Sequence, residues 1–104
     1  MPYQQSLTAL ADPTRRHIFE SISTGPQSVS SLAKNMPVSR PAVSQHLKVL
    51  SNAGLVIATK RGTQNIYSAK PDGLHELRHY LEQFWGEVLT SFADEVENQK
   101  EIPE

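Results

Sequence analysis

Apolar residues in the first half of the chain recur every three or four positions, the spacing that favours amphipathic helices. One such run predicts a short first helix over about 3–10. A second helix should begin after Asp12, a suitable N-cap, with Pro13 at its first position, and should end at Gly25-Pro26. The apolar face of this second helix is formed by Leu10, Ile18 and Ile22, with Phe19.

Two further helices follow, separated by a short turn over 35–38. Ser28 suits the N-cap of the first, within SVSSLAKNM, and Pro37 stops it. Ser39 suits the N-cap of the second, which runs from Arg40 to about Ala53, and Gly54 occupies the position where helices often end in a left-handed residue. The inward-facing positions of the first of these helices are Leu32, Ala33 and Met36.

Beyond Gly54 the pattern becomes strand-like. It predicts two short strands, Val56 to Lys60 and Asn65 to Ala69, around the turn Arg61-Gly62-Thr63-Gln64, and then one long helix from about Asp72 to residue 98. The order is α-α-α-α-β-β-α. The predicted fold class is therefore mainly α with a small β-hairpin: one winged helix-turn-helix domain over 1–104, with the helix-turn-helix at about 28–53 and the wing at about 56–69.

The last helix carries more apolar surface than a domain of this size can cover alone. A two-fold homodimer formed by the helices over about 3–10 and 72–98 would bury it. The alternative is a helix that lies entirely on its own core. The candidate dimerisation residues are Leu7, Leu10, Leu77, Leu81, Phe84, Trp85, Val88 and Phe92.

Composition narrows the class of protein. The chain has 104 residues, 38% hydrophobic and 20% charged, as expected for one soluble globular domain, and it has no cysteine, which excludes disulfides and thiolate metal sites. Its N-terminus lacks the apolar core of a signal peptide, so a cytoplasmic protein is expected. It shows neither a glycine-rich phosphate loop nor a Ser/His/Asp arrangement that spacing supports, so we expect no enzyme and no cofactor.

Charge is distributed unevenly along the chain. Between Ser21 and Pro71 there is no Asp or Glu, and the net charge of −1 hides this basic middle because the acidic residues concentrate after position 71. The six cations of the middle segment are Lys34, Arg40, Lys48, Lys60, Arg61 and Lys70. A one-sided positive field attracts polyanions, although chance clustering of solvated charges would look the same.

The helix after Ser39 divides by helical phase. Val43, Leu47 and Leu50 repeat at three or four positions and should pack. The opposite face is small, polar and cationic, as in a recognition helix that enters the major groove of double-stranded DNA. Lys60 and Arg61 suit phosphate contacts by the wing. The candidate DNA-binding residues are Ser39, Arg40, Pro41, Ser44, Gln45, Lys48, Lys60 and Arg61. A protein-interaction module remains the alternative.

The stretches ALADPTRRHIF, SVSSLA, SRPAVSQHLKVLSNAGLV and RGTQNIYS resemble the ArsR-type (ArsR/SmtB) winged-helix repressors of bacteria. The resemblance covers roughly residues 7–96. It implies a dimer through the first and last helices that binds an imperfect inverted repeat at the nucleoid and represses transcription. It also implies that Ser39, Arg40, Ser44 and Gln45 contact DNA.

The departures from the family concern its metal sites. Metal sensors carry Cys-Val-Cys where this chain has Ser28, Val29 and Ser30. Of the four ligands in a second set on the last helix, this chain matches one, Asp72. The chain is therefore similar to a metal-independent branch, whose members often have no known inducer, and an unidentified inducer stays open. His75 and His79 have the i, i+4 spacing of two zinc ligands but no evident third, so they are weak metal candidates against a solvated pair.

Overall fold

The computed structural model describes residues 2–100, apart from the side chains of Pro2, Leu89, Phe92 and residues 97–100. The order of elements confirms the mainly helical winged helix-turn-helix class. The elements are α1 (Pro2–Ala11), α2 (Pro13–Ser23), β1 (Gln27–Ser28), α3 (Val29–Lys34), α4 (Arg40–Asn52), β2 (Val56–Arg61), β3 (Gln64–Ala69) and α5 (His75–Lys100). Among the described helices, none has the length and apolar character needed to cross a membrane.

The three predicted N-caps are confirmed. The carboxylate of Asp12 accepts a hydrogen bond from the Arg15 N–H at 2.9 Å, and the hydroxyls of Ser28 and Ser39 accept from backbone N–H groups at 3.1 and 3.2 Å. The bond from Arg15 is the main reason that the pKa of Asp12 lies below its ordinary value. Each cap satisfies a backbone donor that the helix itself leaves unpaired, which fixes where α2, α3 and α4 begin.

The sheet has three strands rather than the predicted two. β3 lies between β1 and β2 and pairs with both in antiparallel fashion; Gln27 faces Tyr67 and Ser28 faces Ile66. A strand of two residues shows no alternation of apolar and polar positions, so nothing in the pattern announced β1. Its effect is to attach the base of the β2–β3 hairpin to the residue that caps α3.

The core lies among α2, α3, α4 and the start of β2. The largest fully buried side chains are Ile18, Ile22, Leu32, Val43, Leu47, Leu50 and Leu55. All of these except Leu55 belong to the predicted inward faces of the helices. Met36, predicted to face inward from the third helix, lies beyond the end of α3 at Lys34 but still packs half-buried against the core.

Two glycines bring the link before α5 against the end of α4. Gly54 has a φ of 76°, which confirms the predicted left-handed residue after α4. A Cβ at Gly73 would collide with the carbonyl oxygen of Gly54, so only glycine fits this approach. The tight turn is closed by the bond from Gly73 N–H to the carbonyl of Lys70 at 2.9 Å, and it explains why α5 begins at His75 rather than at the predicted Asp72.

Candidate nucleic-acid interface

Helix α4 has two chemically distinct faces. Val43, Leu47 and Leu50 are 0% exposed and pack into the core. Every candidate DNA-binding residue on or next to this helix is exposed: Ser39, Arg40, Pro41, Ser44, Gln45 and Lys48. The core thus holds the helix by one face and leaves a continuous polar and cationic face in solvent, as the spacing of the residues predicted.

The N-terminal turn of α4 offers few donors to an anion. The Ser39 hydroxyl already accepts from Ala42, the Ser39 carbonyl accepts from Val43 at 3.0 Å, and Pro41 has no N–H. The backbone N–H of Arg40 is therefore the donor in this turn that makes no hydrogen bond to the described residues of the protein. Together with the hydroxyl proton of Ser39, it gives this end of the helix two donors that can reach a phosphate.

The side chain of Arg40 is tethered to the preceding helix. Its guanidinium donates a hydrogen bond to the hydroxyl of Ser30 on α3. The two residues lie ten positions apart, on either side of the turn of the helix-turn-helix. In the sequence, Ser30 is notable only as the place of a missing metal ligand, and no local pattern connects a serine with an arginine at this distance.

The wing is a regular two-stranded hairpin. Lys60 pairs with Asn65 and Arg61 pairs with Gln64, so Gly62-Thr63 forms a two-residue turn at the tip. Both predicted cations, Lys60 and Arg61, are exposed. Because successive residues of a strand point to opposite faces, these two side chains leave the hairpin in opposite directions. A flat polyanion laid against one face would therefore meet one of them.

The charges around α4 and the wing are not neutralised locally. The segment from Ser21 to Pro71, which contains both elements, has no Asp or Glu. Within the part of the chain that the structure describes, the one ion pair joins Arg78 and Glu82 at 2.9 Å, on the surface of α5. The cations of the α4 and wing surface therefore keep their full attraction for phosphates.

The candidate dimerisation residues divide into three groups. Leu77 is 6% exposed, so it is buried within one chain and is not available on the surface. Leu10 is half-buried and packs against the core. The side chain of Phe92 lies outside the described residues. The others stay on the surface, with Trp85 53% and Phe84 48% exposed. We call the exposed set the apolar stripe: Leu7, Tyr80, Leu81, Phe84, Trp85 and Val88. Tyr80 belongs to this set although it was not among the candidate dimerisation residues.

The two histidines of α5 lie exposed near its start. His75 and His79 line a small groove together with Arg78 and Glu82. The carboxylate of Glu82, the nearest candidate for a third ligand, is engaged by the Arg78 guanidinium. No group of three His, Cys, Asp or Glu side chains suited to a metal ion occurs among the described residues. A guanidinium in the groove disfavours a second cation there.

A helix-turn-helix that buries one face of its second helix, exposes a polar cationic face and continues into a β-hairpin defines a winged-helix DNA-binding protein. Comparison with known proteins agrees. Residues 12–58 match the family model described as bacterial regulatory protein, arsR family. The chain belongs to the ArsR family and is a DNA-binding transcriptional regulator, not an enzyme.

Three relatives illustrate the similarity. The chain is 50% identical over 91 residues to the HTH-type transcriptional regulator Rv2034 of Mycobacterium tuberculosis, covering 88% of this chain and 85% of that protein. It is 31% identical over 85 residues to the arsenical resistance operon repressor of Staphylococcus xylosus, covering 82% and 78%. The structure of an ArsR-like transcriptional regulator from Rhodococcus sp. RHA1 matches with a TM-score of 0.74 and 34% identity, covering 89% and 88%.

Proposed function

We propose that the protein is a homodimeric repressor that binds an inverted-repeat operator, with α4 in the major groove and the β2–β3 hairpin as the wing. The observation that supports this most is the exposed face of α4. It is polar and cationic, it is opposite a fully buried face, and it lies in a segment without carboxylates. Its shape and charge suit a groove lined by phosphates.

Three side chains of α4 are proposed to contact the bases. Arg40 has the two parallel donors that pair with guanine O6 and N7, and Gln45 has the donor and acceptor that pair with adenine N6 and N7. Ser44, between them, is short and accommodates either kind of base edge. Pro41, on the first turn, offers an apolar contact for a thymine methyl group. The proposed phosphate contacts are Ser39, Lys48 and whichever of the two wing cations, Lys60 or Arg61, faces the DNA; all four residues are exposed.

The shape of the chain supports a dimer. A compact domain of about 100 residues has a radius of gyration of about 13 Å, whereas this chain has 19.0 Å. The difference comes from α5, whose 26 residues project with the apolar stripe exposed. A second copy is the occupant we propose, because a two-fold arrangement covers both stripes with one self-complementary interface and presents two recognition helices to the two halves of an inverted repeat.

Release from DNA does not use a thiolate-bound metal in this proposal. The positions of the family's cysteine ligands hold Ser28 and Ser30, and both hydroxyls are already engaged, one as the cap of α3 and one with Arg40. We therefore place the protein in the metal-independent branch of the family. A bound dimer would repress by occupying its operator, in keeping with the name of the Staphylococcus xylosus relative.

Selection of bound sequences from a random duplex pool tests the proposal. The expected product is a two-fold symmetric site whose half-sites lie about one helical turn apart, and binding should weaken steeply as salt rises. Recovery of no preferred sequence, or binding that is indifferent to salt, would contradict the proposal. That result would favour a protein-interaction module in its place.

A further inference from the structure

We infer that Arg15 is a positioning residue for operator recognition: it joins the end of α1 to α4 through His46 and so sets the angle of the recognition helix in the dimer. The inference rests on the proposed function, because it takes α4 as the reading helix and α1 as part of the dimer surface.

The side chain of Arg15 reaches two elements besides its own. Its Nε donates to the carbonyl of Ala9 at 2.7 Å and one terminal nitrogen donates to the carbonyl of Thr8 at 3.4 Å, both at the end of α1. Its other terminal nitrogen lies 3.4 Å from Nδ1 of His46 on α4. The rigid planar fork of a guanidinium fixes the mutual directions of these bonds. A single side chain of α2 therefore holds α1 against α4.

Arg15 is suited to the end of α1 for electrostatic reasons. The last carbonyls of a helix have no partner within the helix and carry its partial negative charge, which a cation stabilises. Asp12 alone separates α1 from α2, so the first turn of α2 brings Arg15 back to these carbonyls. Its half-buried position restricts the side chain further.

The contact between Arg15 and His46 has a fixed direction. A guanidinium can only donate a hydrogen bond, so Nδ1 of His46 is the acceptor in this pair. His46 lies between exposed Gln45, a proposed base contact, and buried Leu47. The contact with Arg15 thus lies within one residue of the reading face without belonging to it.

Helix α1 continues the connection to the dimer surface. Its Leu7 belongs to the apolar stripe, and its Tyr3 stacks on Tyr80 of α5 with ring centroids 4.3 Å apart. A path of direct contacts therefore leads from the proposed dimer interface through α1 and Arg15 to α4. A dimer that reads an inverted repeat must hold its two recognition helices at a fixed distance and rotation, because each base pair inserted between half-sites rotates one of them by about 35°.

The test measures affinity as a function of half-site spacing, using the full-length protein and the site selected by the wild type. We expect the wild type to lose about tenfold or more in affinity when the spacer changes by one base pair. Arg15→Ala should bind the best site about tenfold more weakly, while the same spacer change should cost it about threefold or less. The dissociation constant of the dimer, from sedimentation, should stay unchanged.

Arg16→Ala is the matched control. It removes the same charge from the next residue, and the exposed Arg16 side chain donates a hydrogen bond to the carbonyl of Leu10 on α1 at 3.1 Å. It should keep the wild-type spacing profile. A second pair avoids any loss of folding in Arg15→Ala: His46→Asn keeps an acceptor close to the position of Nδ1, whereas His46→Leu keeps the bulk and removes the acceptor.

We expect His46→Asn to retain the sharp spacing dependence and His46→Leu to lose it. If the His46→Leu variant folded, dimerised and kept the wild-type dependence of affinity on half-site spacing, the inference would be overturned, even if Arg15→Ala failed to fold. If the wild type selected no two-fold site at all, the proposed function would fail first, and the role of Arg15 would fall with it.

Discussion

Helices α4 and α5 are both amphipathic, yet their apolar faces have opposite environments. In α4 the apolar positions Val43, Leu47 and Leu50 are completely buried within one chain. Among the side chains of α5 that the structure describes, only Leu77, near the start of the helix, is buried to a similar degree, while Phe84 and Trp85 are about half exposed. The same kind of periodicity thus produces a completed core contact in one helix and an open surface in the other.

The difference follows from what each helix has beside it. α4 is packed against α2, α3 and the bend that leads into β2, which supply Ile18, Ile22, Leu32 and Leu55. Beyond its first turns α5 extends past the domain, where none of the other elements described for residues 2–100 covers its apolar face. Periodicity reports that a face will be buried, but it does not report which chain will bury it. The comparison therefore separates residues that fold one protomer from residues that we propose join two.

The largest effect is expected for a substitution in the fully buried apolar face of α4. Leu47→Ala removes a fully buried side chain, so we expect a loss of about 2–5 kcal/mol in the free energy of unfolding because a cavity remains. Urea denaturation followed by circular dichroism measures it. The control, Ser44→Ala on the exposed face of the same helix, should change stability by less than about 0.5 kcal/mol. Equal losses for both variants would mean that α4 is not divided as described.

The open face of α5 is tested next. Trp85→Ala removes a large exposed aromatic from the apolar stripe, and we expect the dimer to weaken by about 2 kcal/mol or more, because buried aromatic residues dominate interfaces. Sedimentation equilibrium measures the dissociation constant. Gln83→Ala, an exposed polar position two residues earlier, should leave the dimer unchanged. If Trp85→Ala dimerised like the wild type, the stripe would not be the interface.

The sequence predicted what depends on local chemistry. The caps at Asp12, Ser28 and Ser39 and the left-handed Gly54 were correct, because each acts within a few residues of itself. Contacts that bring distant residues together left no pattern. β1 is too short to alternate, and the Gly73 approach to Gly54 depends on tertiary packing.

The candidate site shows the same division. Helical phase was enough to predict which side of α4 faces solvent. The partners of its polar residues were not predictable, since Ser30 reaches Arg40, and Arg15 reaches His46 across 31 positions of sequence. The roles of the exposed residues toward DNA and toward a second protomer stay predictions.

A smaller effect should sharpen the role of the polar face of α4. Arg40→Ala should weaken operator binding by about 1–3 kcal/mol and relax the preference at one base pair of each half-site. Binding to random duplex DNA should weaken less, because there Arg40 contributes only a general attraction to phosphates. Competition binding with operator and random duplexes measures both. Equal losses on the two kinds of DNA would exclude Arg40 from base reading and leave it as a phosphate contact.

The smallest effect is expected in the wing, where the directions of two adjacent cations predict different salt dependences although their charges are equal. Lys60 and Arg61 carry the same charge on adjacent residues, but they leave opposite faces of the hairpin. The variant that removes the DNA-facing cation should flatten the plot of log K against log salt by about 0.9 for each wing, hence by nearly 2 for a dimer, and should weaken all DNA alike. The other variant should change the slope little.

Titrations of Lys60→Ala and Arg61→Ala with one duplex at several salt concentrations measure both slopes. Equal changes would mean that the tip twists enough to present both cations to DNA, and no change in either would remove the hairpin from the interface and leave α4 as the main contact.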